Sequence, residues 1–179
     1  MSESRDNHDS YSSTTWSDDD IRQMVEIEKK SYPPDHCFTH EDFVNFMRED
    51  SFHGVIMSTL KGKMLGFLIY REGSTAWTVW DIAVHPDCRR MGIGSQLVES
   101  TYTYMLKDSL KRQRLLAVVP EESDTLDFFD DLGFTPTSSM SKGDDEDDDT
   151  SLIMCLEPSG RTQYVTRLEP YFRSLAMEH

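Results

Sequence analysis

The most informative part of the chain reads Trp80-Asp81-Ile82-Ala83-Val84-His85-Pro86-Asp87-Cys88-Arg89-Arg90-Met91-Gly92-Ile93-Gly94-Ser95-Gln96-Leu97. The β-branched and aromatic residues up to Val84 predict a strand, which His85-Pro86-Asp87 ends. A short loop with two arginines follows. Gly92-Ile93-Gly94 then opens a helix, which the apolar spacing extends to about residue 107.

The loop and the start of this helix have the chemistry of an anion site. A helix N-terminus presents N–H groups without intrahelical partners and a partial positive charge. Gly92 and Gly94 let the backbone approach a ligand closely, and Arg89 and Arg90 can add charge-assisted hydrogen bonds. The two glycines alone are more typical of an ordinary tight turn. The spacing does not fit the dinucleotide fingerprint, because Leu97 stands at the third glycine position. It does not fit the P-loop, because no Gly-Lys-Ser/Thr follows.

The rest of the chain alternates helices and strands around this segment. The patterns predict helices over residues 18–30, 41–48, 92–107 and 123–132, and strands over 55–60, 64–70, 76–84, 115–119, 134–140 and 151–157. This order indicates a mixed α/β or α+β domain around one sheet.

Outside this pattern lie the two ends of the chain and one internal loop. Residues 1–17, rich in Ser, Thr, Asp and Asn, predict a disordered N-terminal tail. The domain spans residues 18–158 and includes an acidic loop at 138–150. Residues 159–179 form a C-terminal extension whose pattern is compatible with a helix.

Composition favours a cytoplasmic globular protein. The 179 residues are 37% hydrophobic and 11% aromatic, which suits one domain with a core. The N-terminus lacks the apolar segment of a signal peptide, and no stretch approaches the roughly 18 apolar residues of a membrane span. We therefore expect no membrane partner. The three cysteines are far apart, so we expect neither a disulfide framework nor a metal site.

Charge narrows the class of partner. A formal net charge of −15 argues against sequence-independent nucleic-acid binding, which needs a basic surface. The charge is compatible with a cationic substrate such as an amine, a polyamine or a basic peptide. It is equally compatible with a solvated acidic loop, since the acids concentrate between Asp144 and Asp149. The oligomeric state stays open.

Residues 82–97 resemble the cofactor motif of the GNAT superfamily of N-acetyltransferases, Arg/Gln-x-x-Gly-x-Gly/Ala at a helix start. Ala83-Val84-His85-Pro86 before it is also typical of that family. The stretch from Leu126 to Phe134 resembles the family's second landmark, Ala-x-x-Phe-Tyr-x-x-x-Gly-Phe. The likeness covers about residues 18–158 in element order. Within the superfamily it is greatest to ribosomal-protein alanine N-terminal acetyltransferases.

This resemblance implies a twisted, mostly antiparallel sheet, flanked by helices and splayed in the middle between the strand ending at Val84 and strand 115–119. It also implies acetyl-CoA as the acyl donor, with the pantetheine arm along the exposed edge of the first of these strands. The implied cofactor contacts are Ile82, Ala83 and Val84 for pantetheine, Arg89, Arg90, Met91, Gly92, Ile93, Gly94 and Ser95 for the diphosphate, and Phe129, a core or pantetheine-packing residue.

The catalytic side chains depart from the family pattern. Phe129 stands where the family commonly has a proton-donating Tyr, and Ala117 where the N-terminal acetyltransferases have a basic-role Glu. Glu122 replaces their cofactor-contacting Asn. The candidate catalytic residues that remain are Asp81, which could also be a solvated or salt-bridged strand carboxylate, and Glu122, which could also be a first-turn helix acid.

Two hypotheses follow from these observations. The first is an N-acetyltransferase that moves an acetyl group to a primary amine, either a peptide or protein N-terminus or a small polycationic amine. The second is a GNAT-fold module that binds acyl-CoA with little or no catalysis, which Phe129 and Ala117 support.

Overall fold

The computed structural model describes residues 8–13, 16–108, 113–121, 124–140 and 151–157. The chain forms two compact units, Met1–Leu110 and Lys111–His179. The described strands of the first unit pair antiparallel in chain order and are accompanied by three helices and a 3₁₀ turn. They are β1 (His8–Ser13), β2 (Phe52–Thr59), β3 (Met64–Glu72) and β4 (Ala76–Val84), with α1 (Asp18–Ser31), α2 (His40–Arg48), the 3₁₀ turn Pro86–Cys88 and α3 (Ile93–Asp108).

Local capping fixes the starts of α1 and α2. The Ser17 hydroxyl accepts a hydrogen bond from the Asp20 N–H, and the Asp20 carboxylate accepts one from the Ser17 N–H, so the two residues form a capping box. Thr39 and Asp42 repeat this arrangement at α2. In both helices the cap hydroxyl accepts a first-turn N–H and the acid accepts the N–H of the cap residue, so these helix starts are capped by their own side chains.

The core of this unit lies between α1, α2 and one face of the sheet. Ile21, Met24 and Ile27 form the apolar stripe of α1 and are buried together with Phe43 and Phe67. Phe43 and Phe67 meet edge to face with ring centroids 5.7 Å apart. Burial of this stripe holds the C-terminal end of α1 against the sheet, beside β4.

A β-bulge interrupts the pairing of β3 with β4. Ile69 pairs with Asp81 and Tyr70 with Val79, so Trp80 has no partner opposite it. Trp80 packs instead against Phe52, with ring centroids 5.3 Å apart, although 44% of its surface stays exposed. The bulge therefore changes the direction of β4 immediately before the segment that carries the predicted site.

The N-terminal tail differs from the prediction. We expected residues 1–17 to be disordered, whereas His8–Ser13 pair antiparallel with β2. An added edge strand is held by main-chain hydrogen bonds, which any residue type can form. A polar composition therefore does not indicate such a strand. Composition alone could therefore not reveal this strand.

Gly54 on β2 makes room for an aromatic side chain. A Cβ atom at this position would lie 2.5 Å from the Trp16 ring, which is buried. We expect Gly54→Ala to lower the free energy of unfolding by about 1–3 kcal/mol, since overpacking forces neighbours out of place. Urea denaturation measures this loss, with Ser58→Ala on the same strand as the control. Equal midpoints for Gly54→Ala and the parent would mean that the Trp16 ring shifts at no cost.

The second unit contains three described strands and one helix: β5 (Arg114–Pro120), α4 (Asp124–Asp131), β6 (Thr135–Met140) and β7 (Ser151–Leu156). β7 pairs antiparallel with both β5 and β6. The predicted acidic loop at 138–150 begins later than expected, because β6 continues to Met140. Residues 141–150 and the predicted extension 159–179 lie outside the described residues.

The elements of both units confirm the predicted mixed α/β class with mostly antiparallel strands flanked by helices. Among the helices that the structure describes, none combines the length and apolar character needed to cross a bilayer.

Candidate active site

The end of β4 presents main-chain groups on the edge that faces away from β3. The His85 N–H donates to the Leu65 carbonyl at 2.9 Å. Because hydrogen-bonded and non-hydrogen-bonded pairs alternate along an antiparallel ladder, Ala83 bonds to β3 while Ile82 and Val84 do not. The N–H and C=O groups of Ile82 and Val84 therefore point to the opposite edge, as an added strand requires.

Two side chains bind the carbonyl groups on this edge. The Tyr32 hydroxyl, just beyond α1, donates to the Ile82 carbonyl at 2.6 Å. Arg89 Nε donates to the Val84 carbonyl at 3.3 Å. Burial of the hydroxyl, together with the nearby Asp81 charge, raises the pKa of Tyr32 above its ordinary value, so it is a neutral donor near neutral pH. Each carbonyl has a second lone pair and can accept a further hydrogen bond.

The loop between the 3₁₀ turn and α3 has left-handed backbone at two positions. Arg90 has a φ of 64° and Gly92 a φ of 80°. Left-handed residues of this kind occur in the backbone nests that turn N–H groups toward an anion. Since a non-glycine residue rarely adopts such a φ, Arg90 is held there by the surrounding turn. The predicted loop therefore has left-handed backbone at two of its positions, a feature that such nests share.

Within the described part of the chain, the first main-chain donors of α3 have no acceptor, and its first turn has no acid. Its first intrahelical bond runs from the Gln96 N–H to the Gly92 carbonyl at 3.0 Å, so the N–H groups of Ile93, Gly94 and Ser95 precede the ladder. The first turn of α3 contains no acidic residue, unlike the first turns of α1 and α2. An added anion would therefore meet unsatisfied donors and the positive end of the helix dipole.

Positive charge beside these donors is available for a ligand. Arg89 and Arg90 are both exposed, and neither forms an ion pair with any described residue. Met91 between Arg90 and Gly92 is 60% exposed. The structure therefore brings together seven of the predicted cofactor residues in one short segment, Arg89, Arg90, Met91, Gly92, Ile93, Gly94 and Ser95.

The environment of Asp81 differs from the solvated or salt-bridged strand carboxylate that was the alternative to a catalytic role. Its carboxyl group is buried and contacts the buried carboxyl group of Glu28 on α1. Burial, and then the Glu28 charge, raise the pKa of Asp81 well above its ordinary value. Burial also raises the pKa of Glu28. Asp81 is thus buried from solvent, and among the described residues its partner is a second acid in place of a cation.

Sequence reasoning missed Glu28, although the pattern carried a signal. Glu28 lies seven residues after Ile21 and four after Met24, so it falls on the apolar stripe of α1. A carboxyl group on such a stripe must be buried unless the helix ends before it. Tyr32, which the sequence could not place, contacts the predicted cofactor strand through Ile82.

His85 closes the end of β4 against α1. It is buried, its Nε2 atom lies 3.2 Å from Lys30 Nζ, and its Nδ1 atom accepts from the Asp87 N–H at 3.3 Å. These contacts lie in the turn that precedes residues 89–92, the arginine loop.

The remaining predicted site residues belong to the second unit. Phe129 on α4 is buried, with its ring against those of Phe128 and Phe134 at centroid distances of 5.1 and 5.0 Å. Ala117 on β5 is also buried. Neither residue has a titratable proton, so the structure offers no acid at these two positions. Glu122 lies outside the described residues.

The fold and this site together indicate the class of protein. A left-handed loop, a free helix N-terminus and two unpaired arginines beside a strand edge suit a cofactor with a diphosphate and an extended arm. A model of the acetyltransferase (GNAT) family matches residues 19–134, more than half of the chain, and the chain belongs to this family. It is an N-acyltransferase that transfers the acetyl group of acetyl-CoA to an amine.

Solved structures share the fold at low sequence identity. The ribosomal-protein-S18-alanine N-acetyltransferase from Escherichia coli is 20% identical with a TM-score of 0.68, covering 83% of this chain and 93% of its own. NAA60 from Arabidopsis thaliana in complex with acetyl-CoA is 12% identical, with a TM-score of 0.68 and coverages of 84% and 98%. The spermidine/spermine N-acetyltransferase SpeG from Vibrio cholerae, in mutant form, is 12% identical, with a TM-score of 0.66 and coverages of 90% and 99%. A search of curated proteins finds no match to the chain.

Proposed function

We propose that the chain acetylates the free N-terminus of a peptide or protein, with the cofactor diphosphate bound between the arginine loop and the start of α3. The observation that carries this proposal is that the N–H groups of Ile93, Gly94 and Ser95, beside Arg89 and Arg90, have no acceptor among the described residues. The fold likeness to the ribosomal-protein-S18-alanine N-acetyltransferase supports the choice of acceptor.

The residues of this segment fit a diphosphate. The helix amides and the loop N–H groups supply hydrogen bonds, and the two guanidinium groups supply charge and paired donors. Gly92 and Gly94 carry no side chain that would fill the space in front of these donors. Acetyl-CoA, when bound, supplies a thioester whose carbonyl carbon accepts the amine.

β4 would hold the arm of the cofactor. The N–H and C=O groups of Ile82 and Val84 point away from β3 and can pair with the amides of an extended ligand. The Ile82 N–H would then be shared with the Asp81 carboxyl group, to which it already donates. Tyr32 and Arg89 already bind the two carbonyl oxygens, so we infer that the ligand uses the remaining lone pairs or displaces these side chains.

Asp81 is the candidate base in this proposal. An amine attacks only after it loses its ammonium proton, and a carboxylate with a raised pKa is better matched to this task than an ordinary aspartate. Because Asp81 is buried, we propose that it takes the proton through water.

The bulge at Trp80 removes main-chain groups of β4 from the β3 ladder, and we propose one of their N–H groups as the donor to the oxyanion.

A small polycationic amine is the second candidate acceptor. The net charge of −15 and the fold likeness to the spermidine/spermine enzyme favour it.

A binding module with little catalysis is the alternative that Phe129 and Ala117 support, because neither can give or take a proton.

Thiol release from acetyl-CoA separates these candidates. We expect release with peptides that carry a free N-terminus, little with the same peptides acetylated beforehand, and less with spermidine. Higher turnover with spermidine would give the function to the second candidate. Tight acetyl-CoA binding without release across the panel would favour the binding module.

Arg89 provides a quantitative test of the cofactor site. We expect Arg89→Ala to weaken acetyl-CoA binding by about 1.5–3 kcal/mol, because a charge-assisted hydrogen bond to the diphosphate is lost. Isothermal calorimetry measures the change. Arg48→Ala on α2 removes the same charge away from the loop and should leave the affinity unaltered. Equal losses in both variants would indicate a general charge effect in place of a contact.

A further inference from the structure

Two acids from different parts of the first unit meet in its interior. Glu28 lies near the end of α1 and is 1% exposed, and Asp81 lies on β4 after the bulge and is 8% exposed. Their carboxyl groups lie close enough to interact through charge, and through a hydrogen bond when one of them carries a proton. Neither forms an ion pair with any residue that the structure describes.

One oxygen of each acid has no other partner. Glu28 Oε2 accepts the Phe38 N–H at 3.1 Å, whereas Glu28 Oε1 and Asp81 Oδ2 are buried without a donor in the described part of the chain. Two ionised carboxylates in contact repel each other, and a buried acceptor without a donor is costly. A single proton between the two groups satisfies both oxygens and removes one of the two charges.

We propose that Glu28 and Asp81 share one proton, and that Glu28 is the positioning residue that sets the pH at which Asp81 can accept the proton of the acceptor amine. This inference rests on the proposed function, in which Asp81 is the base. Loss of the shared proton creates the doubly ionised pair, which is the form able to accept a proton.

The proton and electron balance of the reaction is simple. The doubly ionised pair takes one proton from the ammonium through water, which restores the shared proton and leaves a neutral amine. The amine nitrogen forms a bond to the acetyl carbon and the carbon–sulfur bond breaks, so coenzyme A leaves as a thiolate. The second N–H proton goes to that thiolate or to solvent.

The other titratable groups described around this pair have little effect on the pKa of Asp81. Tyr32, just beyond α1, and Cys37, before α2, interact electrostatically with both acids, and burial raises the pKa of each, so both are neutral near neutral pH. On β3, the residue opposite Asp81 is the apolar Ile69. On the turn after β4, His85 contacts Lys30 and Arg89 contacts Val84. Among the side chains that the structure describes, Glu28 has the largest effect on the pKa of Asp81, and a substitution can remove its charge.

Glu28→Gln tests this role while keeping the contacts of the side chain. The glutamine carbonyl can accept the Phe38 N–H, and its amide can donate to Asp81. Removing the like charge and adding a donor both favour ionised Asp81, so its pKa falls. We expect the acid limb of the kcat/KM profile to move to lower pH by roughly one unit or more. Glu26→Gln, an exposed acid on the same helix, should leave that limb in place.

An NMR titration of the carboxyl carbons measures the protonation of Glu28 and Asp81 independently of activity. We expect one carboxyl group of the parent to titrate far above the ordinary range, and this titration to move down in Glu28→Gln. Ordinary titration of both acids in the parent would overturn the shared proton. A shift seen by NMR but absent from the rate profile would instead overturn Asp81 as the base, and with it that part of the proposed function.

Discussion

Gly94→Glu is expected to weaken acetyl-CoA binding by roughly 100-fold or more, about 2.7 kcal/mol, because its carboxylate would occupy the place of the diphosphate. Gly94 lies in the first turn of α3, where the N–H groups have no intrahelical partner. The new acid would accept these hydrogen bonds itself and repel the ligand charge. Isothermal calorimetry with acetyl-CoA measures the loss.

Position 94 is a better choice for this test than position 92. Gly92 has a φ of 80°, so Gly92→Glu would combine backbone strain with the added charge. At position 94 an acid in the first turn should stabilise the helix, and a loss of affinity then reports the site alone. Thr103→Glu, exposed later on α3, adds the same charge as a control. Unchanged affinity in folded Gly94→Glu would refute the diphosphate assignment.

The strand–loop–helix segment could be predicted because its signals are local. β-Branched and aromatic residues indicate β4, the proline after His85 ends it, and Gly92 and Gly94 mark the start of α3. Gly92 does have the left-handed backbone that such a glycine allows. The same φ at Arg90 could not be predicted, since residue type gives no signal for it.

The partner of Asp81 could not be predicted from any local pattern. The contact joins α1 to β4 and depends on the sheet register and on the bulge that leaves Trp80 unpaired. Glu28 was visible only as an acid on an apolar stripe, which does not reveal what it meets. Tyr32 is similar, because its bond to the Ile82 carbonyl depends on where α1 ends relative to β4. Identifying candidate bases therefore needs the tertiary structure, whereas the loop proposed to bind the diphosphate was visible in the local sequence.

The second large effect concerns Asp81→Asn. We expect kcat with a productive amine to fall by roughly 10²–10⁴-fold, the usual contribution of a general base, while acetyl-CoA affinity stays near that of the parent. Asparagine keeps the shape of a protonated aspartate, and its amide can donate to Glu28. The fold should therefore persist, and the loss of rate would come from the missing proton acceptor.

Stability against pH provides the check on this interpretation. The pKa of Asp81 is higher in the folded chain than its ordinary value, so the folded state binds the proton more tightly and stability falls as pH rises toward that raised pKa. Asp81→Asn removes this dependence, and its advantage in melting temperature over the parent should grow as pH rises. Asp50→Asn, an exposed acid, should show neither effect. Full kcat in a variant that has lost the pH dependence of stability would exclude Asp81 as the base and leave Glu122 as the remaining candidate.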